Sequence, residues 1–126
     1  MTYFIENLKT YIINQGLIAT SQGLELEFYD ENNANELLCL FVYDTDAELG
    51  RLSIQILARF TNPKTCLDKL YPIYNHFFDN INFKLVSKTI NNKTCKFKAV
   101  SKPAFIKKSN DMFNYAFNFE VYTQDA

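Results

Sequence analysis

Glycine is nearly missing from this chain. Gly16, Gly23 and Gly50 are the only three, so neither a G-x-G-x-x-G fingerprint nor a P-loop can be built, since both need several glycines to bring backbone N–H groups against a phosphate. Histidine occurs once, as His76; a lone histidine inside a helical stretch reads as structural rather than catalytic. Cysteine is sparse and odd in number: Cys39, Cys66 and Cys95 lie far apart, with no C-x-x-C. They read as buried, reduced thiols rather than as a disulfide or metal framework. Tryptophan is absent. Every apolar run falls short of the roughly 20 residues that a membrane-spanning helix needs. The opening MTYFIENLKTYIINQG sets acid and amide residues among its apolar ones, with no basic stretch and no small-residue cleavage site, so no signal peptide is expected there. These absences predict a protein made and folded in a reducing cytoplasm.

What the chain has instead is aromatic. Twelve Phe and eight Tyr stand among 126 residues, a bias that favours strands and contact surfaces. Hydrophobic content of 48% with 21% charged residues is ordinary for a globular protein, and the length suits one domain, 1–126, with a core of its own. The net charge of −1 conceals an asymmetry. Residues 1–50 carry nine acids against Lys9 alone, a net of −8 by count, while residues 51–126 carry twelve bases against five acids, a net of +7. Eight of the lysines fall between Lys84 and Lys108. A subunit with an acidic and a basic surface suits head-to-tail contact with its own copies; the plainer reading is two solvated surfaces of a sheet.

The central stretch is Asn62–Asn82, NPKTCLDKLYPIYNHFFDNIN. Asn62 is a good N-cap and Pro63 sits at the first helical position, where its missing N–H costs nothing. Cys66, Leu67, Leu70, Ile73, Tyr74, Phe77, Phe78 and Ile81 recur at helical spacing and form a stripe that must lie on something. Pro72 interrupts the ladder and is expected to kink it. Before it, Thr2–Asn14 reads as a short amphipathic helix stopped by Gly16. Leu24–Tyr29 alternates as a half-buried strand, Asp30–Glu36 is a polar turn, and Leu37–Tyr43 reads as a central strand. Arg51–Thr61 places Leu52, Ile54, Ile56, Ala58 and Phe60 on one face, with Arg51 and Arg59 on the other. After the helix, Phe83–Ile90 and Lys93–Ser101 flank Asn91-Asn92 as a hairpin. Lys102–Asn110 reads as a loop or arm, because Pro103 blocks regular pairing and Phe105 and Ile106 stand apolar among lysines. Asp111–Thr123 is the last strand, with Phe113, Tyr115, Phe117, Phe119 and Val121 facing one way. The class is α+β: an antiparallel meander with the long helix packed on one face and a short N-terminal helix, in the order α-β-β-β-α-β-β.

Catalytic chemistry finds little here. Asp44, Asp46 and Glu48 fall at every second position, but an EF-hand loop would need Gly and Glu where Leu49 and Gln55 stand. Cys66 follows a helix start, where the dipole lowers a thiol pKa, yet it lies on the apolar stripe and is expected to be buried. No catalytic residue, metal or cofactor is expected. The Lys84–Lys108 segment, with Phe83, Phe97 and Phe105 interleaved, is an electrostatic footprint for nucleic acid, but no binding motif accompanies it.

An opening helix, an antiparallel meander, a long helix after a strand ending Arg59-Phe60-Thr61-Asn62-Pro63, and a closing NDMFNYAFNFEV over Asn110–Val121 together resemble the tail-terminator and minor-capsid (tail-completion) proteins of long-tailed bacteriophages and of phage-tail-like bacteriocins. Lys102-Pro103-Ala104-Phe105-Ile106 is similar to the loop before that last strand. The resemblance spans nearly the whole chain as architecture and texture rather than as a sharp motif. It implies a non-enzymatic subunit of a ring, commonly a hexamer, that caps the tail tube, stops its polymerisation and meets head-side connectors. Partners would then be other copies, tube and sheath proteins and the connector, with no membrane, and with DNA met only as the passing genome. Assembly would take place in a bacterial cytoplasm and the product would reside in a virion tail or tail-like particle. Glu25, Glu27, Asp44, Asp46 and Glu48 on one side, and Lys96, Lys98, Lys102, Phe105, Ile106, Lys107 and Lys108 on the other, are the candidate interface residues. Two other classes stay open: an adaptor or other neck or head-completion protein that binds one partner through Phe105 and Ile106, and a small ligand-binding domain or enzyme with a pocket between helix and sheet.

Overall fold

A computed structural model describes residues 2–18, 24–26, 36–78 and 85–123. Helix α1 covers Thr2–Asn14, β1 Glu25–Leu26, β2 Leu37–Asp46, β3 Arg51–Phe60, α2 Pro63–Phe78, β4 Val86–Ile90, β5 Lys93–Ala99, β6 Ala104–Ser109 and β7 Met112–Thr123. The class is α+β, as expected. The strands form one sheet in the order β1-β2-β3-β7-β5-β4, with β6 also paired to β7. Every described pairing is antiparallel except the short β1–β2 contact, which is parallel.

Strand β7 is the axis of this sheet. One of its edges pairs with β3 from Tyr122↔Arg51 to Phe113↔Phe60. The other is divided: β5 takes the C-terminal half (Thr123↔Cys95 to Phe119↔Ala99) and β6 the N-terminal half (Ala116↔Ala104 to Met112↔Ser109). Between them the amides of Val100 and Ser101 both donate to the Asn118 carbonyl, at 2.9 and 3.1 Å. The Ser101 hydroxyl accepts from the Asn118 amide at 3.1 Å. The break between β5 and β6 therefore leaves no gap in the hydrogen bonding of β7.

Both helices lie on one face of the sheet. The stripe on α2 buries Cys66, Leu70, Ile73, Tyr74, Phe77 and Phe78, with Leu67 half-buried. Asn62 caps it: its Oδ1 accepts from the Lys64 amide at 2.8 Å, which satisfies one of the first-turn N–H groups. The helix runs through Pro72, which lies on its exposed side. Below it, Leu52, Ile54, Ile56, Ala58 and Phe60 of β3 and Phe117, Phe119 and Val121 of β7 are buried, joined by Ile5, Leu8 and Ile12 of α1. Much of the aromatic content goes into this contact. Phe77 stacks on Phe97 with centroids 4.7 Å apart, and Tyr74 meets Phe117 edge-on at 5.4 Å. Such pairs add to the area they bury because ring edges and faces carry opposite partial charge. On the other face, Leu37, Cys39, Leu57 and Ala116 form a smaller apolar cluster, and Ser53, Arg59 and Asn114 are buried polar residues.

Three sequence expectations change. The segment Lys102–Asn110, expected as a loop, contains strand β6. Pro103 is buried and stands just before the first ladder pair, Ala104↔Ala116, so its missing N–H breaks no ladder bond. The second difference is at β2, which continues beyond Tyr43 to Asp46 through an irregularity between Val42 and Asp44. The turn there is shorter than the expected Asp44–Gly50. Third, a second hairpin turn, at the end of the expected loop, joins the one at Asn91-Asn92: Asn91 and Asn92 have φ of 51° and 67°, and Asn110 and Asp111 have φ of 50° and 61°. Both Asn and Asp tolerate this region, and two such residues in succession make the turn whose twist matches a hairpin. The expected ends of three elements, at 27–29, 79–82 and 83–84, lie outside the described residues, as do residues 30–35 of the expected polar turn.

Candidate functional site

The side chains with intrinsic reactivity take part in packing. The Tyr11 hydroxyl and His76 Nε2 are 2.8 Å apart, joining α1 to α2. Burial lowers the His76 pKa, and the positive charge of Lys88 adds to the effect. Burial also raises the Tyr11 pKa, so at neutral pH a protonated phenol is paired with a neutral imidazole. The Cys66 thiol donates to the Phe113 carbonyl at 3.2 Å, and burial pushes its pKa up, outweighing the bonds it accepts from backbone. Cys39 and Cys95 are buried as well. In the acidic turn, Asp46 Oδ1 accepts from the Leu49 amide at 3.2 Å. Asp44 lies 3.0 Å from Arg51, which also reaches Glu120 at 4.0 Å. These carboxylates therefore brace the β2–β3 turn and the strand ends beside it. No described helix is long and apolar enough to cross a membrane.

What remains on the surface is charge and exposed apolar area. Register places Asp44 beside Ser53, Ser53 beside Glu120, and Glu120 beside Lys98. It likewise places Asp46 beside Arg51, Arg51 beside Tyr122, and Tyr122 beside Lys96. The acids of β2 and the lysines of β5 thus share the sheet face away from the helices, at opposite flanks, with β3 and β7 between them. Glu48 is exposed in the turn. Glu25 pairs with Cys39 in β1, its side chain lying outside the description, and Glu27 falls outside the described residues.

The other candidate residues gather on β6 and the link before it. Among the described strands β6 pairs only with β7, so its outer edge has no strand beside it. Phe105 is 53% exposed although its ring meets Tyr115 edge-on at 5.5 Å, and Ile106 is 51% exposed. Ile106 stands at a register irregularity between Phe105 and Lys107. Lys102 and Lys108 are exposed, and Lys107 is half-buried. Lys108 Nζ sits 5.1 Å from the centre of the Phe113 ring, which holds its charge beside the apolar pair. Asn114, buried on β7, directs its Nδ2 to the Lys107 carbonyl at 3.3 Å and to the Ser109 hydroxyl at 3.2 Å. The strand is therefore pinned even though its side chains are open to solvent.

One exposed residue outside the sequence expectation stands with these. Leu49, at the tip of the β2–β3 turn, is 61% exposed, more than any other exposed large hydrophobic side chain among the described residues. Its signal in the sequence is an apolar residue inside DTDAELG with no periodic partner. The turn lies at the end of the sheet where β7 finishes, and β6 lies where β7 begins, three strand positions across. At about 3.3 Å per residue along a strand and about 4.8 Å between strands, the two patches are roughly 25 Å apart, on a diagonal of the sheet. Comparison with protein-family models and with curated proteins finds no match.

Proposed function

We propose that this chain is a structural subunit of a phage tail or phage-tail-like particle, forming a ring that caps the tail tube, ends its polymerisation and offers a surface to head-side connector proteins. The observation that carries the reading is the pinned strand β6, which among the described strands pairs on one edge only, with Phe105 and Ile106 half-exposed among Lys102, Lys107 and Lys108. Charged residues spaced around exposed apolar ones suit a specific protein contact, the apolar pair supplying affinity and the charges orientation. The order α-β-β-β-α followed by antiparallel strands supports the same reading. On this reading the partners are further copies, tube and sheath proteins and the connector, and assembly takes place in a bacterial cytoplasm.

The test is absolute mass by light scattering on a sizing column, at low and high salt, with and without tube protein. A ring-sized particle that loosens as salt rises supports the reading, since a Debye length of about 10 Å at 0.1 M falls to about 3 Å at 1 M. A monomer at every salt and concentration that also ignores tube protein overturns it. The same β6 patch favours one second reading, an adaptor that docks a single heterologous partner; a monomer that forms a one-to-one complex with one protein would establish that instead.

A further inference from the structure

We propose that Leu49, at the tip of the acidic β2–β3 turn, docks on the Phe105–Ile106 patch of β6 in a second copy of this chain. The proposal rests on the assembly reading above and supplies the contact that carries it. Each patch is an exposed apolar element beside which one sign of charge prevails. Around Leu49 stand Asp44, Asp46 and Glu48, of which Arg51 offsets one. Beside Phe105 and Ile106 stand Lys102 and Lys108, Lys108 sharing the face of Phe105, while Lys107 follows on the opposite face of the strand. Apolar centre meets apolar centre and opposite charges meet at the rim, the arrangement that gives a contact both affinity and orientation.

Both patches are held in advance. The Leu49 amide is tied to Asp46, and the neighbouring Gly50 carbonyl accepts from the Thr123 amide at 2.9 Å, so the tip is fixed to the end of β7. On β6, Asn114 and the Phe105–Tyr115 ring contact hold the strand. Little ordering entropy is then lost when the two meet. The irregularity between Phe105 and Lys107 breaks the even spacing that an added strand would need. The lysines guard the same edge, so side-chain docking is the mode that fits, rather than extension of the sheet. A separation of roughly 25 Å on the sheet diagonal puts the contact between chains. The patches lie at opposite flanks, so each contact leaves one corner free on either partner. Repetition continues until the rotation closes a ring.

The experiment uses the full chain with Leu49→Cys and Phe105→Cys together, oxidised mildly at assembling concentration, beside light scattering of the wild-type chain. The three native cysteines are buried and do not compete. The expected result is a ladder of covalent species longer than two chains, collapsing on reduction. A second pair of variants tests the charges: Glu48→Lys and Lys108→Glu each weaken association by roughly fivefold or more, and together restore it. Wild-type particles that assemble while the double-cysteine chain gives no cross-link, and a charge pair that does not rescue, overturn the contact and leave the ring reading standing. A chain that stays monomeric in every assay, with tube protein added as well, overturns both.

Discussion

A methyl group on Gly50 would lie 2.8 Å from the Thr123 carbonyl oxygen, and the residue already has a φ of 63°. Both facts argue against any side chain there: the left-handed region penalises a Cβ, and the atom it meets is backbone that cannot swing aside. Gly50→Ala is expected to destabilise the protein by about 1–3 kcal/mol, read as a lower urea midpoint with an unchanged slope. His76 makes a prediction of opposite character. Its pKa in the fold lies below the ordinary 6.5 because burial, and then Lys88, disfavour the charged ring. The unfolded chain therefore binds the proton first as pH falls. The stability that depends on a neutral His76 is present above that ordinary value and is lost progressively below it. From about pH 7.5 to about pH 5.5, wild-type melting temperature should fall relative to His76→Gln, which has no proton to take up. Parallel profiles for the two proteins would remove His76 as the cause.

At the scale of elements, α2 carries a built-in defect. Pro72 has no N–H for the Asp68 carbonyl four residues earlier, yet the helix runs on to Phe78. The apolar stripe on both sides of Pro72 outweighs the loss, because six of its residues bury against the sheet. Pro72→Ala restores the bond at an exposed position and should stabilise by about 1–3 kcal/mol, seen as a rise in melting temperature. The β6–β7 hairpin offers a similar test. Asp111 holds a φ of 61° at the second position of its turn, where glycine is preferred. Asp111→Gly should add up to about 1 kcal/mol. That gain would bear directly on β6, since this turn fixes its register against β7.

Across the whole molecule, stability and association draw on different aromatic residues. Phe77 is buried and stacked on Phe97 between helix and sheet. Phe77→Ala should cost about 3–5 kcal/mol, a large share of the roughly 5–15 kcal/mol that holds a domain of this size together. Phe105 is half-exposed at the outer strand, so Phe105→Ser should leave the melting temperature within a few degrees while lowering the mass seen by light scattering. A Phe105→Ser protein that melts early would make that ring part of the core rather than of a contact surface.

Much of this architecture is local in origin, and that part was legible in the sequence. The start of α2 follows from Asn62 and Pro63, which cap and open a helix by their own geometry. Its buried stripe follows from the 3.6-residue period, and the inward faces of β3 and β7 follow from the two-residue period. The Asn91-Asn92 hairpin follows from two residues that accept positive φ. None of these needs a distant part of the chain. Other features do. The insertion of β7 between β3 and β5 brings Arg51 beside Tyr122 and Lys98 beside Glu120, and no local period encodes which strand pairs with which. That insertion also gave β6 an edge to pair with, turning an expected loop into a strand despite Pro103. It set the acids of β2 and the lysines of β5 on one face rather than two. The charges and apolar residues of the candidate surface could be picked out one by one in the sequence. Leu49 with its acids and Phe105 with its lysines are each contiguous in sequence, but the placement of the two clusters on a diagonal of the sheet was decided by the long-range strand order.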